Sequence, residues 1–282
     1  MLVAAIARHQ KPWNHRMSAS PVKTQRGIQS VEVAGRLLQA LAQARQPLPL
    51  VALAAAAELS SAQAHTYLVS LLRLGLIKRT PGEGYYESGP LALRLGMARL
   101  AREPAYRQAL PQVRQLSQET GLSVAVTLPT PAGPTIVHYA HAGKPLHVNL
   151  HVGTVMALSE TATGRTYCAF TPHADWQALW EAQHPAQPKG RLKHVQQELD
   201  AIRKRGMERA VDLPSPGVSS LCMPLLDARQ QLLLLVTVIG PSGVIDTGWR
   251  GVVARQLRSC IEAIAVTLAA AEQTDEEGEF VP

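Results

Sequence analysis

Between Ser60 and Arg79 the chain gathers side chains that donate, accept and neutralise. They are the hydroxyls of Ser60, Ser61, Thr66 and Ser70, the amide of Gln63, the imidazole of His65 and the cations of Arg73, Lys78 and Arg79, with Arg36 upstream. Groups of this kind match the surface of a nucleic-acid duplex. A glutamine amide can pair with both hydrogen-bonding positions of an adenine edge. His65, Thr66 and Ser70 suit groove or backbone contacts, and Arg36 and Arg73 suit phosphates. Ser60 and Ser61 precede a segment of helical period, where a serine caps the helix and leaves backbone N–H groups for a phosphate.

A second group, His138, His141, His147 and His151, falls within one short stretch. On strands, an offset of three sends His138 and His141 to opposite faces while His147 and His151 share one, so the four do not converge on a metal ion. The chain has no G-x-S-x-G, H-E-x-x-H or Walker-type loop, the spacings that would build a nucleophile, a zinc site or a phosphate cradle. We therefore expect no metal, no cofactor and no catalytic residue.

The elements that must position the first group follow from local pattern. Leu50 to Ala57 is an apolar helical segment entered after Pro47 and Pro49, which precede helices readily but do not sit inside them. A break at Glu58-Leu59-Ser60-Ser61 follows. The next pattern packs Ala64, Tyr67, Leu68, Leu71, Leu72 and Leu74 on one face, turns Gln63, His65, Thr66, Ser70 and Arg73 outward, and stops at Gly75. Leu76 to Thr80, the turn Pro81 to Gly84 and Tyr85 to Glu87 read as strand, turn and strand, the form of a DNA-contacting wing. Ile28 to Ala44 is amphipathic, with Ser30 placed to cap it, and completes a three-helix core. This is an all-α winged helix-turn-helix.

Charge follows the same division. Residues 1–100 carry twelve Lys or Arg against four Asp or Glu, whereas residues 101–282 carry sixteen against seventeen, so the net +7 arises in the first third. A basic module joined to a near-neutral remainder suits a polyanion at one end and another partner at the other. Residues 1–25 form a basic tail in which Arg8, Lys11, Arg16 and Lys23 follow the apolar Met1 to Ala7. That order is opposite to a signal peptide; the tail reads either as dispensable or as an arm that, with Arg26, tracks phosphates. At 46% hydrophobic and 17% charged residues the chain is that of a globular protein with room for two cores. Cys168, Cys222 and Cys260 show no paired spacing, which argues against disulfides and suits a reducing cytoplasm. No apolar run reaches the roughly 20 residues that span a bilayer.

The remainder mixes periods. Leu91 to Leu100 reads as a linker helix, and Tyr106 to Thr120, after Pro104 and before Gly121, as the opening of a second domain. Strands are expected at Leu122–Leu128, Thr135–His141, Leu146–Leu150, Leu221–Leu226 and Leu232–Ile239. Helices are expected at Thr161–Phe170, Ala174–Ala182, Leu192–Lys204 and Val252–Ala271. Short connections imply antiparallel neighbours, hence an α+β domain with a mostly antiparallel sheet. The end, with Asp275-Glu276-Glu277-Gly278-Glu279, reads as a frayed acidic tail.

From about Ile28 to Ala271 the chain resembles the IclR-type bacterial transcription regulators. The resemblance is carried by Ser30 to Leu38, Leu71 to Ile77 and Ser88 to Gly96 in the first part. In the second it is carried by Thr161-Ala162-Thr163-Gly164-Arg165, Gly217-Val218-Ser219-Ser220 and Thr237-Val238-Ile239-Gly240-Pro241, in that order and spacing. It implies a winged helix-turn-helix over 26–90, a linker helix over 91–104 and a GAF-like effector-binding domain over 105–272, flanked by the basic tail 1–25 and the acidic tail 273–282. It also implies a homodimer or dimer of dimers on a pseudo-palindromic double-stranded operator. Control by a small organic acid would act on operator binding or on contact with RNA polymerase. Glu58, Gln63 and Thr66 depart from the family, which usually has Gly, Thr and Arg there.

The resemblance places the effector pocket as well. Thr161, Ala162 and Thr163 open a helix whose N–H groups and dipole suit a carboxylate. Ser220 and Thr237 stand at pocket positions, and Asp212 lies in the loop before the Ser220 strand. Ile239 replaces a small polar residue, and Leu146 and Val148 form an apolar wall, so an aromatic carboxylate of a catabolic pathway fits better than a short keto acid. Activator and repressor both remain open. The competing reading is a metabolite-binding or enzymatic protein that uses its winged helix for protein contacts. If two protomers together neutralise about six to ten phosphates, operator affinity should fall by about 10³ to 10⁵ between roughly 50 and 200 mM salt; a flat salt response in filter binding would favour that competing reading.

Overall fold

The computed structural model describes residues 27–44, 46–82, 84–141, 143, 150–184 and 191–278, and it divides into two compact units, Met1–Ala92 and Leu93–Pro282. The tail 1–25, Leu146, His147 and Val148 lie outside the described residues.

In the first unit α1 (Gln29–Gln43), α2 (Leu50–Ala56) and α3 (Ser61–Arg73) surround a core of Leu37, Leu41, Leu53, Leu68 and Leu71, closed by Ile77 and Tyr86. Ile28, not Ser30, is the N-cap of α1, and it offers no side-chain bond; Ser30 lies inside the first turn. The turn between α2 and α3 is held by Leu59 N–H donating to the Ala54 carbonyl at 2.9 Å and places Glu58 at φ 56°. A side chain in this left-handed region is disfavoured by about 1 kcal/mol, which explains why a glycine is the usual occupant. The wing is the antiparallel pair β1 (Ile77–Arg79) and β2 (Tyr86–Ser88), with Lys78 opposite Glu87. Leu48, on the approach to α2, adds a bridge that the sequence did not announce, exchanging both backbone bonds with Tyr86 at 2.8 and 3.0 Å.

The helix α4 (Pro90–Ala101) buries none of its residues, and Leu93, Leu95 and Met97 are exposed. In the second unit α5 (Pro104–Thr120) begins on a proline, which suits the first turn, and ends on Gly121 at φ 65°. The sheet has five strands in the order β4-β3-β7-β6-β5, and every neighbouring pair is antiparallel. They are β3 (Ser123–Thr130), β4 (Gly133–Ala140), β5 (Glu208–Ala210), β6 (Val218–Leu226) and β7 (Leu232–Pro241). The edge strand β5 is too short for its alternation to register in the sequence.

Val124, Val126, Leu221, Met223, Leu234, Val236 and Val238 face α5 and α9 (Val252–Gly278) in the largest core. The other face meets α6 (Ala162–Phe170), α7 (His173–Gln183) and α8 (Arg191–Arg205) around Trp176, Leu199 and Ile202. The helix α9 continues through Asp275, Glu276 and Glu277, which the sequence suggested were frayed. Leu150 lies in no strand, and His151 lies at a turn, not on a strand. All three cysteines are free and buried. Among the described residues no helix is long and apolar enough to cross a membrane, and no group of three or more His, Cys, Asp or Glu could hold a metal ion.

Gly164, in the first turn of α6, lets the backbone of Ala157 and Leu158 lie directly on the helix. A Cβ there would stand 2.0 Å from the Ala157 carbonyl oxygen and 2.6 Å from Leu158 Cα. Gly164→Ala should therefore lower stability by about 1–3 kcal/mol. Gly35→Ala in α1, where an added Cβ meets nothing within 4 Å, should raise it by roughly 0.5–1 kcal/mol. Urea midpoints of the two variants check the contrast.

Candidate functional site

The ten residues expected at a nucleic-acid surface lie in the first unit, on α1, on α3 with its cap, and on the wing. Ser60 is the N-cap of α3 and forms a capping box with Gln63: Gln63 N–H donates to Ser60 Oγ at 3.3 Å and Ser60 N–H donates to Gln63 Oε1 at 3.1 Å. The box satisfies donors that the helix start would otherwise leave open. It also occupies the amide oxygen that pairing with adenine requires. Thr66 Oγ1 turns back to the Ala62 carbonyl at 3.4 Å, whereas Ser61, His65 and Ser70 are exposed.

Arg36 pairs with Glu58 at 3.8 Å and Lys78 with Glu87 at 3.3 Å. Exposed pairs of this kind contribute about 0–1 kcal/mol and open easily to a phosphate. Arg79 lies over the Tyr86 ring, 5.4 Å from its centroid, which holds the guanidinium against the wing. Arg73 occupies the last turn of α3, where a cation complements the helix dipole.

The second unit holds a cavity of about 210 Å³. Its apolar walls are Leu150, Met156, Leu213, Pro214, Val218 and Ile239, and its polar groups are Thr161, Thr163, Ser215, Ser220 and Thr237. The sheet presents Ser220 directly opposite Ile239 on β6 and β7, and Cys222 opposite Thr237. Above them the first turn of α6 contributes Thr161 as N-cap and Thr163.

Hydroxyl protons in this cavity are partly committed. Thr161 Oγ1 donates to the Ala157 carbonyl at 2.7 Å and accepts from Gly164 N–H at 2.9 Å. Thr163 and Thr237 share one bond of 2.8 Å, so one of the two hydroxyl protons is spent between them. Ser220 and the N–H of Thr163, which has no acceptor inside the helix, complete the donors. Among the described residues no cation lines the cavity. Beneath it Cys222 is fully buried beside Thr163, Thr166 and Thr237; burial pushes its thiol up to about 11, against the opposing pull of those hydroxyls. It therefore stays a neutral thiol at ordinary pH.

Two expected pocket residues face elsewhere. Ala162 is buried in the core beside Leu158 and Trp176 and does not line the cavity. Asp212, at φ 54°, serves the loop that closes the cavity: its Oδ1 accepts from Ser242 Oγ at 2.6 Å and from Gly217 N–H at 2.9 Å. Its own N–H donates to Ser219 Oγ at 3.1 Å, and Ser219 Oγ lies 2.7 Å from Ser242 Oγ. The bond from Ser242, then that from Gly217, holds the Asp212 carboxyl below the usual carboxylate range. Within the loop the Leu213–Pro214 peptide is cis. Arg165, from the same segment as the threonines, ties α6 to β5 through Glu208 and the Arg209 carbonyl.

Of the lining residues not foreseen, Val218 opens β6 two residues before Ser220, ahead of the strand start expected at Leu221. Met156, Leu213, Pro214 and Ser215 sit on irregular segments that carry no periodic signal. Of the histidines, His138 lies on β4 opposite Val126, where burial and then the Arg114 charge lower its pKa.

Known proteins share these features in the same order. The sequence model of the IclR helix-turn-helix domain matches residues 30–81, and that of the bacterial transcriptional regulator IclR C-terminal domain matches residues 97–266. A glycerol operon regulatory protein of Streptomyces coelicolor is 28% identical over 257 residues, covering 87% of this chain and 98% of that protein. The crystal structure of Pseudomonas aeruginosa HmgR is 26% identical with a TM-score of 0.55, covering 86% of this chain and 98% of the other. An IclR homolog of Microbacterium hydrocarbonoxydans, complexed with 4-hydroxybenzoate, shares the fold with a TM-score of 0.71 at 13% identity, covering 86% of this chain and 99% of the other.

The capping box separates two roles of Gln63. Gln63→Glu keeps an acceptor for Ser60 N–H and should unfold at the wild-type urea midpoint, whereas Gln63→Ala should lose roughly 0.5–1.5 kcal/mol, the usual net contribution of one hydrogen bond. A binding-site selection on the Gln63→Ala protein that returns an unchanged consensus would confine Gln63 to the cap.

Proposed function

The chain belongs to the IclR family of bacterial transcriptional regulators, and on that premise we propose that a small aromatic carboxylate held in the second unit's cavity controls its operator binding or its contact with RNA polymerase. DNA binding falls to the winged helix-turn-helix, with Arg36, Ser61, His65, Ser70, Arg73, Lys78 and Arg79 as contacts. Ser60, Gln63 and Thr66 shape the start of the recognition helix and reach DNA where their own bonds allow.

The observation that carries the ligand reading is the mixed lining of the cavity. Met156, Leu213, Val218 and Ile239 offer apolar surface, while the start of α6, Ser220 and the Thr163–Thr237 pair offer neutral polar groups. A ring suits the apolar surface. A carboxylate suits the polar groups at the start of α6, where the positive end of a helix dipole stands in for a cation. The 4-hydroxybenzoate complex of the Microbacterium homolog adds support from a shared fold.

The unburied apolar face of α4, with Leu93 64% and Met97 61% exposed, suits packing against a second copy. That would give a homodimer, or a dimer of dimers, able to meet a pseudo-palindrome with half-sites roughly 34 Å apart. To shift such an assembly from 1:99 to 99:1 between two geometries, the ligand must favour one of them by about 5.5 kcal/mol. A second reading is a glycerol-like polyol, favoured by the hydroxyl-bearing wall and by the 28% identity to a glycerol operon regulatory protein.

Thermal unfolding with benzoate-like acids, short keto acids and glycerol distinguishes these readings. At 100 times its dissociation constant the true ligand should add about 2.7 kcal/mol. A shift with benzoates alone is expected, and gel retardation of the DNA upstream of the gene should change with the same acid. A response to keto acids or glycerol alone would replace the aromatic reading, and no retardation at low salt would remove the operator.

A further inference from the structure

A separate cluster of chemistry lies where the end of α8, β5 and the entry to α9 meet. The indole of Trp249 carries two guanidinium groups over its ring, with the Cζ atoms of Arg205 and Arg209 each 4.3 Å from the ring centroid. Beside it is a cleft of about 370 Å³ lined by Arg205, Met207, Trp249, Arg250 and Arg258. Three arginines thus line one concave space together with Trp249 and Met207, and no acidic residue lines it among the described residues.

Local counter-charge is scarce. Glu208 serves Arg205 at 2.7 Å and Arg165 at 3.4 Å, and Arg209 donates to the Thr247 carbonyl at 3.0 Å. Asp246 is occupied with the start of α9, accepting from the N–H groups of Gly248 and Val252, both at 2.9 Å, so the helix end is already closed. Arg250 and Arg258 are exposed and have no ion pair among the described residues. With sixteen basic and seventeen acidic residues over 101–282, this concentration of arginine is local, not a general basicity of the unit.

Like charges gathered in this way repel unless something screens them. Attraction to the Trp249 ring fixes Arg205 and Arg209, but Arg250 and Arg258 gain nothing comparable. Planar guanidinium forks match the oxygen pairs of phosphates and carboxylates, and two or three converging on a concavity select for multiple charge. The size of the space suits a small molecule better than a folded partner. We propose that this cleft is a second ligand site, separate from the threonine-lined cavity, for a small anion bearing two or more phosphate or carboxylate groups.

Calorimetric titration of the full chain at low salt, with pyrophosphate and citrate as probes and monophosphate as reference, tests this. Pyrophosphate or citrate should bind once per chain, at least tenfold more tightly than monophosphate, and which of the two binds identifies phosphate or carboxylate as the natural group. The R250A/R258A variant should lose at least tenfold in affinity, and Arg258→Lys should recover only part because it restores the charge without the fork. Both side chains are exposed, and unchanged operator retardation without added anion checks that the double variant folds. Three results would overturn the proposal. They are no binding to the wild type, loss in an R73A/R79A variant in place of R250A/R258A, and a double variant altered only in oligomeric state, which would make the cleft a contact between copies.

Discussion

The hydroxyls of Thr163 and Thr237, 2.8 Å apart, join the first turn of α6 to β7, and the arrangement of the second unit depends on that junction. One face of the sheet packs a continuous apolar core on α5 and α9, with His138 and Arg209 in register only on its outer strands β4 and β5. The other is mixed at its centre: in register with one another it carries Thr127, Leu235 and Pro224, then Cys222 and Thr237, then Ser220 and Ile239. A hydroxyl taken out of water without a partner costs about 1–3 kcal/mol, so a wholly apolar helix would be a poor cover for this face. The helix α6 meets the requirement by bringing a threonine to Thr237. Where no hydroxyl arrives, the penalty stays, as at Thr127, whose Oγ1 is buried without a partner.

From this junction the cavity follows as remaining space. Gly164 brings α6 down onto the backbone of Ala157 and Leu158, and the threonine bond fixes the helix over Cys222 and Thr237. Ser220 and Ile239 are then left without a helix above them. The loop before β6 covers the gap, tied back by Asp212 to Ser242 and Gly217. The cavity is thus bounded on one side by a helix start seated on backbone and on another by a loop held through a few polar bonds.

Elements with several turns or several alternations were legible in the chain: all three helices of the first unit, the long strands, and α5 through α9. What escaped was short or non-local. The three residues of β5 and the single bridge of Leu48 to Tyr86 carry no period, and the cap of α1 slipped from Ser30 to Ile28 because helix boundaries are weakly encoded. In the cavity, Thr161, Thr163, Ser220, Thr237 and Ile239 come together from three distant segments whose relation only family resemblance suggested. Asp212 was misjudged because an acid in a loop near a binding strand reads the same whether it serves a ligand or its own backbone. The arginines around Trp249 were invisible for a related reason: they are drawn from a helix end, an edge strand and a loop, with no spacing to link them.

The bridge from Leu48 to Tyr86 has a bearing on how the module meets DNA. It joins the entry of α2 to the wing, so the segment that aims the helix-turn-helix and the hairpin that flanks it share backbone bonds of 2.8 and 3.0 Å. A wing anchored only through its own two strands could swing. Anchored a third time, it advances and tilts with the helices as a single tool. The spacing between the outward face of α3 and Lys78 and Arg79 on the wing is then a constant of the protein.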